Sequence, residues 1–231
     1  MIVVAGGMIR SGSTFAFNVA REILLAHGDV EVSSSNSIAD AAYARAGDNH
    51  FVLKSHAPDE SVLKQIRGGA LPCVCTIRNP EDAISSWMHT FAFPIESGIE
   101  SVRTWLAWYV TVRDQVLTVR FDAIEREPMS AVDQIVQYLG LPVNPDFASA
   151  FAETYSKAEL KKRYDAFDQA KGAVDLVFSY YDPVTFFHRR HISNEQVGQA
   201  GGVLSQDQTD RIRTELRDFL ERDDLSALLA R

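Results

Sequence analysis

Gly6-Gly7-Met8-Ile9-Arg10-Ser11-Gly12-Ser13-Thr14-Phe15 sits directly behind the apolar run Ile2-Val3-Val4-Ala5 and decides the fold. A short β-type run that ends in a Gly-rich loop and passes into a helical pattern predicts strand, phosphate-binding loop and helix N-terminus in that order. Counted from Gly7, the spacing is Gly-x4-Gly, then Ser13 and Thr14. The Lys that usually follows the second Gly is replaced by Ser13, and the nearest positive charge is Arg10, inside the loop. Small residues let backbone N–H groups approach an anion, and the helix adds its positive end. Ser11, Ser13 and Thr14 can add hydroxyl donors. The loop suits phosphate-like oxygens but is poorly equipped for ATP, whose β- and γ-phosphates pair with the missing Lys.

Outward from the loop, short β-type runs alternate with helical patterns over the first 140 residues. This predicts an α/β fold, a three-layer sandwich around a central parallel sheet. Strands are expected at Ile2–Ala5, Phe51–Lys54, Cys73–Ile77 and Thr118–Phe121. Helices are expected over Thr14–Ala26, Pro80 towards Phe91, Val102–Leu117 and Met129–Leu139. Asn79 is a helix cap with Pro80 at the first helical position and two acids behind it. Ser205-Gln206-Asp207-Gln208 reads as a capping box opening a last helix to about Glu221. Residues 155–204 differ: charges (Lys157, Lys161, Lys162, Arg163), an aromatic cluster (Phe178, Tyr180, Tyr181, Phe186, Phe187) and a Gly-rich stretch, Gly198–Gly202. They are read as a lid or cover within a single domain spanning 1–231.

The net charge of −8 argues against a broad nucleic-acid surface, which needs clustered Lys and Arg. A small anionic ligand in a local basic pocket is compatible with it. Cys73 and Cys75, two apart on a strand, point to one face and read as buried, reduced thiols in a cytoplasmic protein. No leader is visible, no apolar run reaches the roughly 20 residues of a spanning helix, and no metal-ligand cluster stands out. No metal and no membrane partner are therefore expected.

Two further motifs carry chemistry. In Phe51-Val52-Leu53-Lys54-Ser55-His56-Ala57-Pro58, Lys54 and His56 leave one strand end in the same direction. Such ends line the ligand crevice of an α/β sheet. A His there can take a proton from a hydroxyl, and a Lys can stabilise developing negative charge. In Thr76-Ile77-Arg78-Asn79-Pro80, Arg78 leaves the next strand, and Ser86 follows two helical turns later. A guanidinium and a hydroxyl so placed can grip one phosphate from two sides.

The order and spacing of these three motifs, over about residues 2–140, resemble the sulfotransferases that use 3′-phosphoadenosine 5′-phosphosulfate (PAPS). Gly7–Phe15 resembles that family's 5′-phosphosulfate loop, with Arg10 where many members carry Lys. Lys54-Ser55-His56-Ala57-Pro58 resembles its Lys-Thr-His-x-Pro segment. Arg78 through Ser86 to Phe91 resembles its 3′-phosphate segment. Val119-Arg120-Phe121-Asp122-Ala123-Ile124, followed by Glu127-Pro128, resembles its Tyr-Glu-Asp-Leu strand end, with Phe121 at the Tyr position and any phenol hydroxyl contact to the adenine lost. Of the family's late Arg-x-Gly…Gly-x-Trp segment, Arg189 or Arg190 and the Gly198–Gly202 stretch are the candidates, without the usual Trp.

The resemblance implies a P-loop NTPase-like fold and sulfuryl transfer from PAPS to a hydroxyl of a small acceptor. It implies His56 as general base, with Lys54 and Arg10 stabilising the transferring group and the bridging oxygen. The backbone of residues 10–14, including Gly12, would hold the 5′-phosphate, and Phe15 and Phe121 would hold the adenine. Arg78, Ser86 and Arg189 or Arg190 would hold the 3′-phosphate. His89, Trp87, Phe91, Phe93 and the Tyr180-Tyr181 region are candidates for an apolar acceptor pocket. Two other readings stand beside this one. One is a P-loop kinase or NTPase, for which Asp122 is the closest metal-binding acid. The other is a non-catalytic nucleotide-binding protein of the same fold.

Overall fold

The computed structural model describes residues 1–39, 49–165, 174–176, 179–187 and 203–230. Five parallel strands run in the order β2-β3-β1-β4-β5: β1 (Ile2–Gly6), β2 (Val30–Ser34), β3 (His50–Ser55), β4 (Cys73–Ile77) and β5 (Leu117–Arg120). The described helices are α1 (Ser13–Leu25), α2 (Glu60–Arg67), α3 (Pro80–Phe91), α4 (Ile95–Val112), α5 (Phe121–Arg126), α6 (Pro128–Leu139), α7 (Phe147–Thr154), α8 (Lys157–Asp165), α9 (Gln206–Glu215), α10 (Arg217–Leu220) and α11 (Asp223–Leu229). A small antiparallel pair, β6 (Val174–Leu176) and β7 (Ser179–Tyr181), lies after α8.

Strand periodicity sorts the core into two layers. Val3, Val52, Val74 and Val119 pack with Phe17, Ile23, Val132 and Ile135 on the α1 and α6 side. Val4, Leu53, Cys73, Cys75 and Ile77 pack with Ile66, Ile84, Trp105, Leu106 and Ile212 on the α3 and α4 side. β1 lies between β3 and β4 and is buried along its whole length, as its unbroken apolar run requires. This is the expected three-layer α/β sandwich. Cys73 and Cys75 are both buried and unbridged, with their sulfurs 3.8 Å apart on one face.

The differences from the sequence reading have local causes. β2 was not anticipated: it is an edge strand with two apolar residues, Val30 and Val32, partly buried up to Ser33 and exposed at Ser34. α4 begins at Ile95 behind Pro94 and ends at Val112, rather than spanning Val102–Leu117. Gly98 lets α4 cross α3 closely, since a Cβ there would lie 3.1 Å from Ile84. The polar Arg113–Gln115 forms a 3-10 turn that hands Leu117 to β5. Phe121 opens α5 instead of closing β5. The Ser205 capping box is present, but its helix stops at Glu215 and restarts as α10 and α11.

Parallel register brings the strand ends to one edge. Gly6 lies beside Ser55, and Ile77 lies beside Arg120. Gly7, His56, Arg78 and Phe121 therefore emerge together, where an open parallel sheet places its ligands.

Candidate active site

A cleft of about 360 Å³ opens at this edge. Its floor is Ile9, Arg10, Gly12, Ser13, Thr14 and His56, and Arg78, Phe121, Trp87 and Phe91 stand around it. Among the described residues, two glycines make the loop possible. A Cβ on Gly7 would lie 2.3 Å from the Ser13 Cβ and 2.4 Å from Thr76 Oγ1. Gly12 has φ +86°, and a Cβ there would lie 2.9 Å from Ile124. The loop is tied to β4 by the Met8 amide donating to the Thr76 carbonyl at 2.9 Å. At its far side α1 begins with no side-chain cap and no acid in its first turn. Among the described residues no acceptor is found for the amides of Ser13 and Thr14. Two N–H groups and the positive helix end thus face the cleft floor, which fits a phosphate-type anion.

Arg10 adopts φ 55°, the left-handed region that a non-glycine residue seldom occupies. Two described contacts hold it there. Arg78 Nη1 donates to its carbonyl at 3.1 Å, and its own Nε donates to Ser86 Oγ at 3.1 Å. The Arg10 guanidinium also lies 5.6 Å from the Phe91 ring centre, and that of Arg78 lies 4.2 Å above Phe121. Arg10, Arg78 and Ser86, assigned from sequence to two ends of a ligand, thus form one linked cluster. Ser11 differs from the sequence reading. Its hydroxyl is fully buried, 2.7 Å from the Met8 carbonyl and 2.7 Å from Thr76 Oγ1, so it shapes the loop rather than facing the cleft.

His56 is exposed at the cleft, with its Nδ1 edge turned to the loop. Its Nδ1 lies 2.5 Å from the Gly7 carbonyl. A carbonyl only accepts, so Nδ1 carries the proton and Nε2 is left as the bare nitrogen. Desolvation, followed by the positive charge of Lys54, lowers the His56 pKa to about 4, so the imidazole is neutral at neutral pH. Lys54 is itself buried one residue short of the strand end, and desolvation lowers its pKa to about 8. It lies close enough to His56 to act on its charge but does not line the cleft.

Trp87 and Phe91 line the cleft, with ring centres 4.8 Å apart, and Phe93 packs against both. His89 does not line it and is exposed. Two residues along a helix turn a side chain by roughly 200°, so His89 faces away from the Trp87 and Phe91 side. Phe15 lines the cleft and meets Phe151 edge-on at 5.4 Å. Arg189, Arg190 and the Gly198–Gly202 stretch lie outside the described residues, as do Phe178 and the side chains of Tyr180 and Tyr181.

Several wall residues were not singled out from sequence: Ile124, Glu125, Tyr155 and Leu160; Lys157, also on the wall, was named as part of the cover. Tyr155 stacks on Phe151 at 4.3 Å and donates its hydroxyl to Glu22 at 2.6 Å. Lys157 pairs with Glu125 across the cleft mouth. Phe187 closes the wall, presented by a turn in which the Asp182 carboxylate accepts from the Val184 amide at 2.8 Å. Asp182-Pro183 was the readable signal for that turn. Asn18, fully buried, donates to the carbonyls of Thr14 and Thr185, each at 2.8 Å, and so ties the turn to α1.

The sulfotransferase domain family matches residues 12–173. The chain belongs to the sulfotransferase family. Solved structures agree on the fold. One is a mouse sulfotransferase, SULT7A1, complexed with PAP. It shares 14% identity at a TM-score of 0.67, covering 99% of this chain and 87% of that one. Retinol dehydratase in complex with retinol and PAP shares 13% at a TM-score of 0.60, covering 97% and 82%. Retinol dehydratase in complex with androsterone and inactive cofactor PAP shares 12% at 0.59, with the same coverage. No curated protein matches the chain in sequence. No described helix of this sulfotransferase is long and apolar enough to cross a membrane.

Proposed function

We propose that this sulfotransferase moves a sulfuryl group from PAPS to a hydroxyl of a small acceptor, with His56 as general base. The observation that carries the reading is the His56 Nδ1 contact with the Gly7 carbonyl, which leaves Nε2 bare at the cleft. The PAP complexes of the fold relatives support the choice of donor. So does the Gly7–Thr14 cradle, with its close-packed glycines and two amides at the start of α1 that find no acceptor among the described residues.

The donor supplies a sulfuryl group whose bond to a phosphate oxygen breaks as the bond to the acceptor oxygen forms. Nε2 of His56 takes the acceptor's hydroxyl proton. The α1 N-terminus and Arg10 stabilise charge on the departing phosphate, with Lys54 adding its field from below. Arg78 and Ser86, with Arg189 or Arg190, hold the 3′-phosphate, and Phe15 and Phe121 flank the adenine. Trp87 and Phe91 shape the acceptor side. Of the 155–204 segment read as a cover of a single domain, much lies outside the described residues; Tyr155, Lys157, Leu160 and Phe187 are the part at the cleft. The buried thiols suit a cytoplasmic enzyme.

The test is His56→Ala. Turnover of PAPS with 4-nitrophenol is expected to fall by roughly 10²–10⁴-fold while PAP affinity, by calorimetry, stays unchanged. Near-wild-type turnover with intact PAP binding would remove His56 from the base role.

A further inference from the structure

Two tryptophans of α4 do not line the cleft, yet both donate to backbone at the sheet edge. Trp105 is fully buried, and its Nε1 donates to the Gly6 carbonyl at 3.3 Å. Trp108 is nearly so, and its Nε1 donates to the His56 carbonyl at 3.0 Å. Gly6 precedes the residue whose carbonyl accepts from the His56 ring. The two indoles therefore fix one peptide group on each side of the His56–Gly7 hydrogen bond.

The surroundings make these anchors stiff. Trp105 stacks on Tyr109 at 4.5 Å and meets Trp108 edge-on at 5.4 Å. Tyr109 in turn shares a hydrogen bond of 2.8 Å with Thr118 on β5. A Cβ on Gly6 would lie 2.9 Å from Trp108 Cη2, so the indole packs against β1 with no room to shift. Backbone carbonyls left unpaired in such a core would be costly, and the indole donors satisfy them. In its described hydrogen bonds, helix α4 thus reaches the reacting edge through peptide groups.

We propose that Trp108, backed by Trp105, is a positioning residue that holds His56 in its Nδ1-protonated form and aims Nε2 at the acceptor. The inference rests on His56 being the base. A base displaced by a fraction of an ångström loses rate while the ligand cradle stays intact. The described hydrogen bond of Trp108 goes to the His56 carbonyl and not to the Gly7–Thr14 loop that would hold the nucleotide, so its loss should act on the base more than on donor affinity.

The experiment replaces Trp108 by its benzothiophene isostere, which keeps the volume and removes the N–H, with Trp108→Phe as a second variant. Long-range proton–nitrogen NMR of the free enzyme reads the two ring nitrogens of His56, assigned by loss of the signals in His56→Ala. Wild type is expected to show one protonated and one bare nitrogen. In the isostere the two shifts should converge as tautomers mix. The kcat with PAPS and 4-nitrophenol should fall about tenfold, with PAP affinity within twofold of wild type. An unchanged imidazole spectrum, or an unchanged kcat, would overturn the inference. Because the spectrum is read without substrate, it decides the anchoring even where His56→Ala keeps its turnover and only the base assignment fails.

Discussion

The floor of the cleft is held by backbone, and its wall is held by side chains. On the floor, the Met8 amide bonds to β4, the His56 ring bonds to the Gly7 carbonyl, and Arg78 bonds to the Arg10 carbonyl. Every partner is a strand end or the loop that joins β1 to α1. On the wall, Tyr155 reaches Glu22 across 133 residues, and Asn18 reaches Thr185 across 167. Those links join α1 to segments that are not strands of the sheet. A floor fixed by parallel register suits groups that must meet reacting atoms within fractions of an ångström. A wall fixed by a few side chains suits groups that only cover and shape.

The largest effect expected on that contrast comes from Arg78→Ala. It removes the bond to the Arg10 carbonyl, the guanidinium over Phe121 and the proposed grip on the 3′-phosphate together. PAP affinity should drop by roughly 10- to 100-fold by calorimetry, at the strength of charge-assisted hydrogen bonds. Adenosine 5′-phosphosulfate, which lacks the 3′-phosphate, should lose far less. Equal losses for both ligands would move Arg78 from recognition to loop support.

Next in size is the alkaline limb of the pH profile. Burial lowers the Lys54 pKa from 10.5 to about 8, so its charge disappears as pH rises through 8. If Lys54 supports the transferring group, kcat/KM for PAPS should fall several-fold between about pH 7 and 9. Stability should move the other way. From about pH 8 to 10.5 the unfolded chain holds a Lys54 proton that the folded chain has released, so folding gains with pH. Activity that fades while the melting temperature holds or rises therefore identifies Lys54. Lys54→Arg should carry the limb upward. On the acid side the linkage has the same sign, because the His56 pKa is lowered as well: Nε2 stays bare down to about pH 4, while folding weakens as pH falls from 6.5 towards 4.

The floor was legible in the sequence because its residues are consecutive with strands. Once Ile2–Ala5 and Cys73–Ile77 read as strands of one parallel sheet, the positions of Arg10, His56 and Arg78 at a common edge followed from topology. Single-residue facts did not follow. Helical phase at a tight α3 end sends His89 outward, and Ser11 spends its hydroxyl on Met8 and Thr76. The first is a matter of local phase, and the second depends on Thr76, 65 residues away. The indole donors of Trp105 and Trp108 read as an apolar face, because periodicity shows where a side chain points and not what its polar atom meets. The wall was least legible. Nothing local in Lys157 or Glu125 announces their pairing, and Asn18 looks like any polar residue inside a helix.

The smallest effects should separate two kinds of wall contact. Asn18 is fully buried and donates to two carbonyls, one of them on the Asp182–Phe187 turn that carries Phe187 into the cleft. Asn18→Leu keeps the volume and removes both donors. The Thr14 carbonyl retains its helical partner, so the Thr185 carbonyl is the group left unpaired. That loosening should weaken PAP binding about fivefold and raise hydrogen exchange at Val184 and Thr185. Lys157 is half exposed, and its pairing with Glu125 is screened by water and salt. Lys157→Ala should therefore shift PAP affinity by no more than about threefold, and less again in high salt. Burial, rather than charge, sets that order. If Lys157→Ala cost more than Asn18→Leu, the wall would owe its place to the ion pair at the mouth, and the turn would be a passenger.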